Sequence, residues 1–222
     1  MSVPPALPGT GGGGVTELVI LRHGETELNR DGVFRGRLDV PLNEHGREQA
    51  EAAAEALATV PVAAVYSSPL SRAYDTAAAV ASRHGLEVTI DEAFHNFDLG
   101  EWQGRPKERV RTESPELWDR WVNDPANLRI PGGETLDDVR GRAEARAREL
   151  VALHEDERVV IATHRSVAKL LGGALLGLGT ESFWSFYLDN AGYTIFGHNE
   201  RGFVLLTWNE AAHLGERVVE LF

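Results

Sequence analysis

The chain of 222 residues contains no cysteine and no long apolar run. Without cysteine, the protein has no disulfide bond, no thiolate metal site and no thiol nucleophile. This composition suits a reducing compartment, so we expect a cytoplasmic protein. No apolar stretch approaches the ~20 residues that cross a bilayer, so we expect no membrane partner. The remaining composition, with 42% hydrophobic and 25% charged residues, is typical of a globular protein.

Positive charge is also scarce in this sequence. Lys and Arg together number 22 against 34 Asp and Glu, which gives a formal net charge of −12. A protein this acidic repels nucleic acid and anionic membranes, so neither is expected as a partner. If the protein binds an anion, it must concentrate its few cations in one place. The positions of individual arginines are therefore informative.

The first residues lack the charged start and the apolar core of a secretory signal peptide. They include several prolines and the run Gly11–Gly14, and we predict a flexible tail over residues 1–14. The glycine run differs from a phosphate-binding loop, because it precedes a predicted strand and no lysine follows it. Residues 15–222 are then expected to form the functional domain.

Three short runs rich in Val, Ile and Leu predict buried strands, and each is followed by arginine or histidine. The runs with the residues that follow them are Leu18–Leu21 with Arg22 and His23, Ala64–Tyr66 with Arg72, and Val159–Thr163 with His164. In parallel α/β sheets, the carboxyl edge of the strands is where ligands bind. We therefore expect these four side chains to lie together at one edge of one sheet.

Two arginines and two histidines suit the transfer of a phosphoryl group. A phosphoryl group in flight carries negative charge on its equatorial oxygens, which fixed positive charge stabilises. Arginine binds phosphate oxygens in pairs and stays charged. A neutral imidazole can attack phosphorus, and a second, protonated imidazole can stabilise the oxygens. The sequence therefore predicts a site for phosphoryl transfer that needs no metal and no cofactor.

The same segments resemble the signature blocks of the histidine phosphatase superfamily, whose members are also described as phosphoglycerate mutase-like. Leu21–Thr26 is similar to the RHG signature, Ser67–Thr76 to the second block and Gly132–Thr135 to the third. The strand ending at His164 is similar to the fourth block. The likeness extends from about Glu17 to His213, which is nearly the whole chain.

This resemblance implies roles for individual residues. His23 would be the nucleophile that carries the phosphoryl group. Arg22, Asn29, Arg72 and His164 would bind the phosphoryl oxygens.

The resemblance also favours the phosphatase branch of the family. Mutases of this family use an extended insertion, and the stretch from Gly104 to Pro131 is too short to contain one. His213 and the segment Phe183–Phe186 resemble segments that close over the pocket in some members, including metal-independent phosphoserine phosphatases. By this likeness His213 is expected to contact the substrate.

One position departs from the family pattern. The family places its proton-donating Glu four residues before a Gly-x-Trp-x-Gly pattern, which Gly100–Gly104 matches, and Asn96 occupies that position here. An amide can hydrogen-bond a leaving oxygen but cannot protonate it, and loss of acid–base help typically costs about 10²–10⁴ in rate. Asp98 or Glu101 could substitute. We expect Asp98 to be the acid, because in an extended segment it shares a side with Asn96.

Further side chains are candidates for substrate contact. By resemblance, Arg35 lies in a loop beside the phosphate, where it would bind a second negative group; ordinary surface charge is the alternative. Asn96 and its neighbour His95 are expected to contact the substrate, although His95 could merely flank it. Trp118 and Trp121 have the helical spacing of core residues, and lining the pocket is the alternative for them.

The pattern of the chain alternates between helices and strands. Helices are predicted over residues 43–59, 71–84, 106–125, 135–154 and 167–176, and further strands over 87–90, 193–196 and 203–208. Alternation without a repeat or a linker predicts a single-domain α/β fold. We expect a three-layer sandwich with a mostly parallel central sheet and helices on both faces.

We therefore predict a metal-independent phosphatase that hydrolyses a small-molecule phosphate ester through a phosphohistidine at His23. The alternative is a non-catalytic protein that binds phosphorylated ligands and has lost its general acid at Asn96. A phosphoglycerate mutase is the third hypothesis. A homodimer is compatible with all three.

Overall fold

The predicted strands pair side by side in one mixed sheet. The structure is a computed structural model that describes residues 14–215. The six strands are β1 (Thr16–Arg22), β2 (Ala64–Ser67), β3 (Val88–Ile90), β4 (Arg158–Thr163), β5 (Tyr193–Asn199) and β6 (Gly202–Glu210). Their order across the sheet is β3-β2-β4-β1-β5-β6. The first four strands are parallel, whereas β5 and β6 run antiparallel. The prediction of a mostly parallel sheet is therefore confirmed.

Seven α-helices connect or flank these strands. They are α1 (Glu27–Arg30), α2 (Glu44–Leu57), α3 (Ser71–His84), α4 (Lys107–Glu113), α5 (Pro115–Asn123), α6 (Leu136–Leu153) and α7 (Arg165–Leu175). Short 3-10 helices cover Glu92–Phe94, Gly100–Trp102, Pro125–Asn127, Thr180–Ser185 and Ala212–Leu214.

The alternation of side chains along the strands creates one core on each face of the sheet. Leu18 and Ile20 of β1 belong to a core that includes residues of α6 and α7. Val19 and Leu21, which point to the opposite face, belong to a core with residues of α2 and α3. Because both faces are covered by helices, the central strands are apolar along their whole length. The three-layer prediction is confirmed.

Local capping signals in the sequence fix where the helices begin. Asn43 precedes α2, and its side chain accepts a hydrogen bond from the Gly46 backbone N at 2.7 Å. Thr135 precedes α6 and forms a capping box with Asp138. These bonds satisfy N–H groups that have no partner inside the helix, and each such cap contributes about 1 kcal/mol.

The structure corrects some of the predicted boundaries. The helix predicted over 106–125 is two helices, because Ser114 leaves the helical conformation before Pro115 begins α5. Pro115 lacks the N–H that would continue α4, so the chain restarts instead. Helix α7 begins at Arg165 rather than Val167, directly after His164. The β5–β6 turn is shorter than predicted, since Gly202 already belongs to β6.

The predicted tail lies almost entirely outside the described part of the chain. Gly14 is its single described residue, and the placement of the functional domain at 15–222 stays a prediction. Within residues 14–215, the search for a helix with the length and apolar character of a membrane span finds none.

Candidate active site

Backbone hydrogen bonds continue past the strand ends and bring two histidines together. Arg22, the last residue of β1, lies opposite Thr163, the last residue of β4. The His23 backbone N then donates to the Thr163 carbonyl oxygen at 3.0 Å. The rings of His23 and His164 meet edge to face with their centroids 5.2 Å apart, and both side chains are buried.

The turn that follows His23 requires glycine. A Cβ atom on Gly24 would lie 2.2 Å from the carbonyl oxygen of Gly46 in α2, which is far inside van der Waals contact. The Gly24 backbone N also donates to the Thr76 hydroxyl at 3.1 Å. The segment after the strand is therefore packed directly against α2 and α3, which fixes the position of His23.

The ring of His23 presents its Nε2 lone pair to the pocket. Its Nδ1 lies 2.6 Å from the Gly24 carbonyl oxygen, which can only accept, so the proton is on Nδ1. Burial, together with the charges of Arg72 and Arg22, holds the pKa of His23 well below its usual range. The imidazole is therefore neutral at pH 7, and its Nε2 is available as a nucleophile.

His164 is anchored by a serine at the end of the neighbouring strand. Its Nε2 lies 2.7 Å from the Ser68 hydroxyl oxygen. That oxygen also accepts a bond from the Leu70 backbone N at 3.4 Å, and its own proton can be donated to Nε2. In that arrangement the proton of a neutral His164 ring is on Nδ1, which has no hydrogen-bond partner within residues 14–215.

The surroundings of His164 oppose its predicted protonation. Burial and the positive charge of Arg72 lower the pKa of His164 well below its usual range. The ring is therefore neutral here, and it can still donate a hydrogen bond from Nδ1. A bound phosphate dianion would favour the protonated ring, because opposite charges favour ionisation.

Two buried arginines supply the fixed positive charge. Arg22 ends β1, and its Nη1 donates to the Leu188 carbonyl oxygen at 2.6 Å. Arg72, in the first turn of α3, donates to the carbonyl oxygens of Leu38 and Gly36 at 2.8 and 3.1 Å. Burial and the nearby Arg35 lower the pKa of Arg72 to about 10, so it remains charged at neutral pH.

A pocket of about 330 Å³ opens above the two histidines. Its volume is at the low end of the range of ligand sites, which is about 300–1,000 Å³. Besides the histidines, it is lined by two sets of side chains. The aromatic set is Phe34, Phe97, Trp118, Trp121 and Trp184, and the basic set is Arg35, Lys107 and Arg165.

Asn96 lines this pocket, whereas the two carboxylates expected to replace the missing Glu do not. The Asn96 amide nitrogen donates to the Gly36 carbonyl oxygen at 2.7 Å. Asp98 accepts a bond from the Gly100 backbone N at 2.9 Å and faces Arg37 at 3.9 Å. Glu101 is exposed on a 3-10 helix. The contacts therefore do not support Asp98 as the proton donor.

The extended strand assumed by the prediction is not formed at Asp98. Residues 95–99 belong to no strand, and Gly100, with φ of +48°, begins a 3-10 helix two residues after Asp98. The contacts of Asp98 are with the Gly100 backbone N and with Arg37, and it does not line the pocket that Asn96 lines.

The other predicted contacts are divided between the pocket and its surroundings. Arg35 lines the pocket, whereas His95 and His213 do not. His213 stacks on Tyr193, with ring centroids 5.5 Å apart, and its Nε2 donates to the Ala191 carbonyl oxygen at 3.0 Å. Its role as a substrate contact stays a prediction.

His95 lies beside the catalytic histidines without lining the pocket. Its positive charge, when present, would oppose protonation of His164, and its own pKa is lowered by burial and by Arg37. Asn29 is buried in α1, and its Oδ1 accepts bonds from the backbone and hydroxyl of Thr26. Its Nδ2 has no hydrogen-bond partner in the described chain.

Several residues of the site have no predicted role from the sequence. Ser68 is one of them, although a hydroxyl directly after β2 could have been predicted to lie near His164 at the same edge of the sheet. Phe34 and Phe97 carry no local signal, because each comes from a loop that the fold brings to the pocket. Lys107 and Arg165 are likewise known only from the structure.

Metal ligands are not grouped in the described chain. Within residues 14–215, no group of three or more His, Asp or Glu side chains is arranged to bind a metal ion. Cysteine is absent from the whole sequence. The charged side chains that line the pocket are Arg35, Lys107 and Arg165.

Known proteins match this chain over most of its length. The phosphoserine phosphatase 1 of Hydrogenobacter thermophilus is 37% identical over 206 residues, which cover 93% of this chain and 98% of that protein. The glucosyl-3-phosphoglycerate phosphatase of Mycobacterium tuberculosis is 34% identical over 219 residues, covering 91% and 98%.

Solved structures agree with the sequence relatives. Bacillus stearothermophilus YhfR superposes with a TM-score of 0.86 at 31% identity, covering 90% of this chain and 99% of that structure. The mycobacterial glucosyl-3-phosphoglycerate phosphatase superposes with a TM-score of 0.82 at 33% identity, covering 89% and 100%. The sequence profile of the histidine phosphatase superfamily (branch 1) matches residues 18–211. The chain therefore belongs to the histidine phosphatase superfamily.

Proposed function

We propose that this phosphatase hydrolyses a small-molecule phosphate ester in two steps through a phosphohistidine at His23. The observation that carries the proposal is the bond between His23 Nδ1 and the Gly24 carbonyl oxygen at 2.6 Å, in a ring that is neutral. It leaves the Nε2 lone pair free to attack phosphorus. The new N–P bond forms as the bond from phosphorus to the ester oxygen breaks.

The charges around the ring stabilise the transferring group. The charges of Arg22 and Arg72 contribute to lowering the pKa of His23, and we expect the same two charges to stabilise the phosphoryl oxygens on that ring. The Nδ1 atom of His164 is buried without a protein partner, which makes it a ready hydrogen-bond donor to the same oxygens. These groups supply the positive charge that a metal provides in other phosphatases.

The second step releases phosphate from His23. Water attacks phosphorus, the N–P bond breaks, and the imidazole recovers its lone pair. Because Asn96 occupies the position of the family's acid, the leaving alkoxide receives only a hydrogen bond and takes its proton from water. We therefore expect slow turnover of esters whose alcohols are poor leaving groups.

The test is replacement of His23 by asparagine. Phosphate release from p-nitrophenyl phosphate should fall to background, while the far-UV circular dichroism should stay that of the parent. Brief mixing with ³²P-labelled substrate should leave acid-labile, alkali-stable label on the parent and none on His23→Asn.

His45→Asn is the matched control for this experiment. His45 is an exposed histidine of α2 that bonds to Glu48 and Gln49, outside the pocket. It should keep full turnover and full labelling. Undiminished turnover in His23→Asn would overturn the proposal.

We also propose a cytoplasmic location, which the absence of cysteine supports. The net charge of −12 supports the absence of nucleic-acid partners.

The alternative of a non-catalytic phosphate-binding protein rests on Asn96 alone. The presence of Arg22, His23, Arg72 and His164 in the sequence supports catalysis instead.

A further inference from the structure

The wall of the pocket is an aromatic cluster centred on Trp121. The ring of Trp121 contacts Phe34, Phe97 and Trp184, with centroids 5.7, 6.3 and 5.2 Å away. Trp118 joins this cluster through Phe34 at 6.3 Å. The cluster therefore surrounds the space next to His23 with ring faces and edges.

Helix α5 contributes to this wall although none of its residues is fully buried. Trp118, Trp121 and Val122 all line the pocket, and Val122 is 37% exposed. These apolar side chains are therefore partly exposed to solvent in the pocket, and a bound ligand would bury the exposed part. Burying such surface contributes about 25 cal/mol for each Å².

The charges of the lining are of one sign. Arg35, Lys107 and Arg165 line the pocket, and no Asp or Glu of the described chain does so. An ammonium group on the substrate would lose its hydration here without gaining a carboxylate partner, which is unfavourable. The three cations would also repel it.

We infer that the substrate's alcohol carries a flat aromatic group and no ammonium group. This inference deepens the proposed function and rests on it. The phosphoryl group would lie at His23 and the aromatic group against Trp118 and Trp121. The pocket volume of about 330 Å³ leaves room for a phosphoryl group together with an aromatic group. The phosphoserine named for one relative does not fit this description.

Two substrates with the same kind of leaving alcohol show whether aromatic stacking contributes to kcat/KM. Adenosine 5′-monophosphate and ribose 5-phosphate release the same kind of 5′-alcohol, but only the first carries an aromatic base. Stacking of a base on an aromatic side chain corresponds to about 5- to 150-fold in affinity. We expect kcat/KM for the nucleotide to exceed that for the sugar phosphate by at least about fivefold.

Trp118→Ala should narrow this ratio, because it removes one ring of the wall. Tyr74→Ala is the matched control, since Tyr74 is 40% exposed on α3 and does not line the pocket. It should leave both rates and their ratio unchanged. Circular dichroism of both variants would show that they are folded.

A second pair of substrates tests the charge of the lining. O-Phosphoethanolamine and propyl phosphate have the same number of heavy atoms, but only the first carries an ammonium group. We expect propyl phosphate to be the better substrate, although its alcohol is the poorer leaving group.

The outcomes separate this inference from the proposed function. Equal kcat/KM for the nucleotide and the sugar phosphate, or faster turnover of O-phosphoethanolamine, would overturn the inference alone. An unchanged ratio in folded Trp118→Ala would do the same. If p-nitrophenyl phosphate and every ester tested release no phosphate, the proposed function itself is wrong.

Discussion

A buried lysine next to the pocket should make the stability of the protein depend on pH. Lys169 of α7 is 3% exposed, and its ammonium lies 5.2 and 4.9 Å from the ring centres of Phe183 and Trp184. Within the described chain it has no ion pair with a carboxylate. Burial, followed by the charges of Arg165 and Arg22, lowers its pKa from 10.5 to about 7.

The size of the effect follows from the two pKa values. Each pKa unit corresponds to about 1.4 kcal/mol, so lowering the pKa from 10.5 to about 7 costs the folded state about 5 kcal/mol at low pH. This difference is the net cost of keeping the ammonium charged in the folded state.

The sign of the pH dependence is set by which state binds the proton. Between pH 7 and 10 the unfolded chain keeps Lys169 protonated, whereas the folded chain releases the proton. The free energy of unfolding therefore rises with pH across this window, by up to about 1.4 kcal/mol for each pH unit. Arg72, whose pKa is lowered to about 10, begins to titrate only at the upper end of the window, and Tyr193, whose pKa is raised to about 12, titrates above it. The two site histidines titrate below it.

Lys169→Met removes the charge at nearly constant side-chain length. At pH 6.5 the variant should be more stable than the parent by several kcal/mol, up to about 5, and the difference should shrink steadily as the pH rises to 10. Urea unfolding followed by tryptophan fluorescence at several pH values measures this difference.

Leu170→Met is the matched control on the same helix, because it changes apolar packing without removing a charge. Its stability difference from the parent should be the same at every pH. If the Lys169→Met difference is equally flat, or if that variant is the less stable protein at pH 6.5, the argument from the buried ammonium is wrong.

Two further predictions concern the chemistry of the site. Asn96→Glu should raise turnover of alkyl phosphates by up to about 10²–10⁴ and do little for p-nitrophenyl phosphate, whose phenolate leaves without a proton. Asp98→Asn should stay within a few-fold of the parent on both, since Asp98 bonds to Gly100 N outside the pocket; a crippled variant would make Asp98 the acid after all. Activity should survive prolonged EDTA treatment, and activity that is lost and then restored by Mg²⁺ or Zn²⁺ would contradict the metal-free mechanism.

The sequence predicted the positions of the strand ends well. The runs before His23 and His164 become β1 and β4, and Asn43 and Thr135 begin their helices as their capping chemistry requires. These features depend on residues that are neighbours in the chain, so hydrophobic periodicity and helix-capping residues are sufficient to predict them.

The pocket could not be predicted in the same way. Its aromatic wall comes from Phe34, Phe97, Trp118, Trp121 and Trp184, which lie in four separate segments of the chain. No periodic pattern in the local sequence predicts that these five side chains come together. The sequence spacing of Trp118 and Trp121 fits a helix that faces the core and one that faces a pocket equally well.

Two predictions about charge needed the structure for a physical reason. Asp98 was expected to share a side with Asn96 because an extended segment was assumed, but its contacts are with the Gly100 backbone N and Arg37, outside the pocket. His164 was expected to be protonated, and burial next to Arg72 keeps it neutral. Both outcomes depend on three-dimensional surroundings that a residue's identity does not contain.

The partners of Arg72 explain how an acidic protein keeps positive charge ready for an anion. Its guanidinium donates to the carbonyl oxygens of Leu38 and Gly36, and within the described chain it has no ion pair with a carboxylate. A carboxylate partner would orient the guanidinium and also cancel its charge. Carbonyl partners orient it through their dipoles and keep it charged, and the Asp39 carboxylate offsets only part of the lowering of its pKa by burial and Arg35.

This arrangement destabilises the folded protein when the site is empty. Burial lowers the pKa of Arg72 from 12.5 to about 10, which corresponds to about 3 kcal/mol at neutral pH. A bound phosphoryl group supplies the missing negative charge and returns part of that energy. Because Asn96 cannot protonate the leaving oxygen, we expect the fixed charge of Arg72 on the phosphoryl oxygens to account for a larger share of the rate in this site.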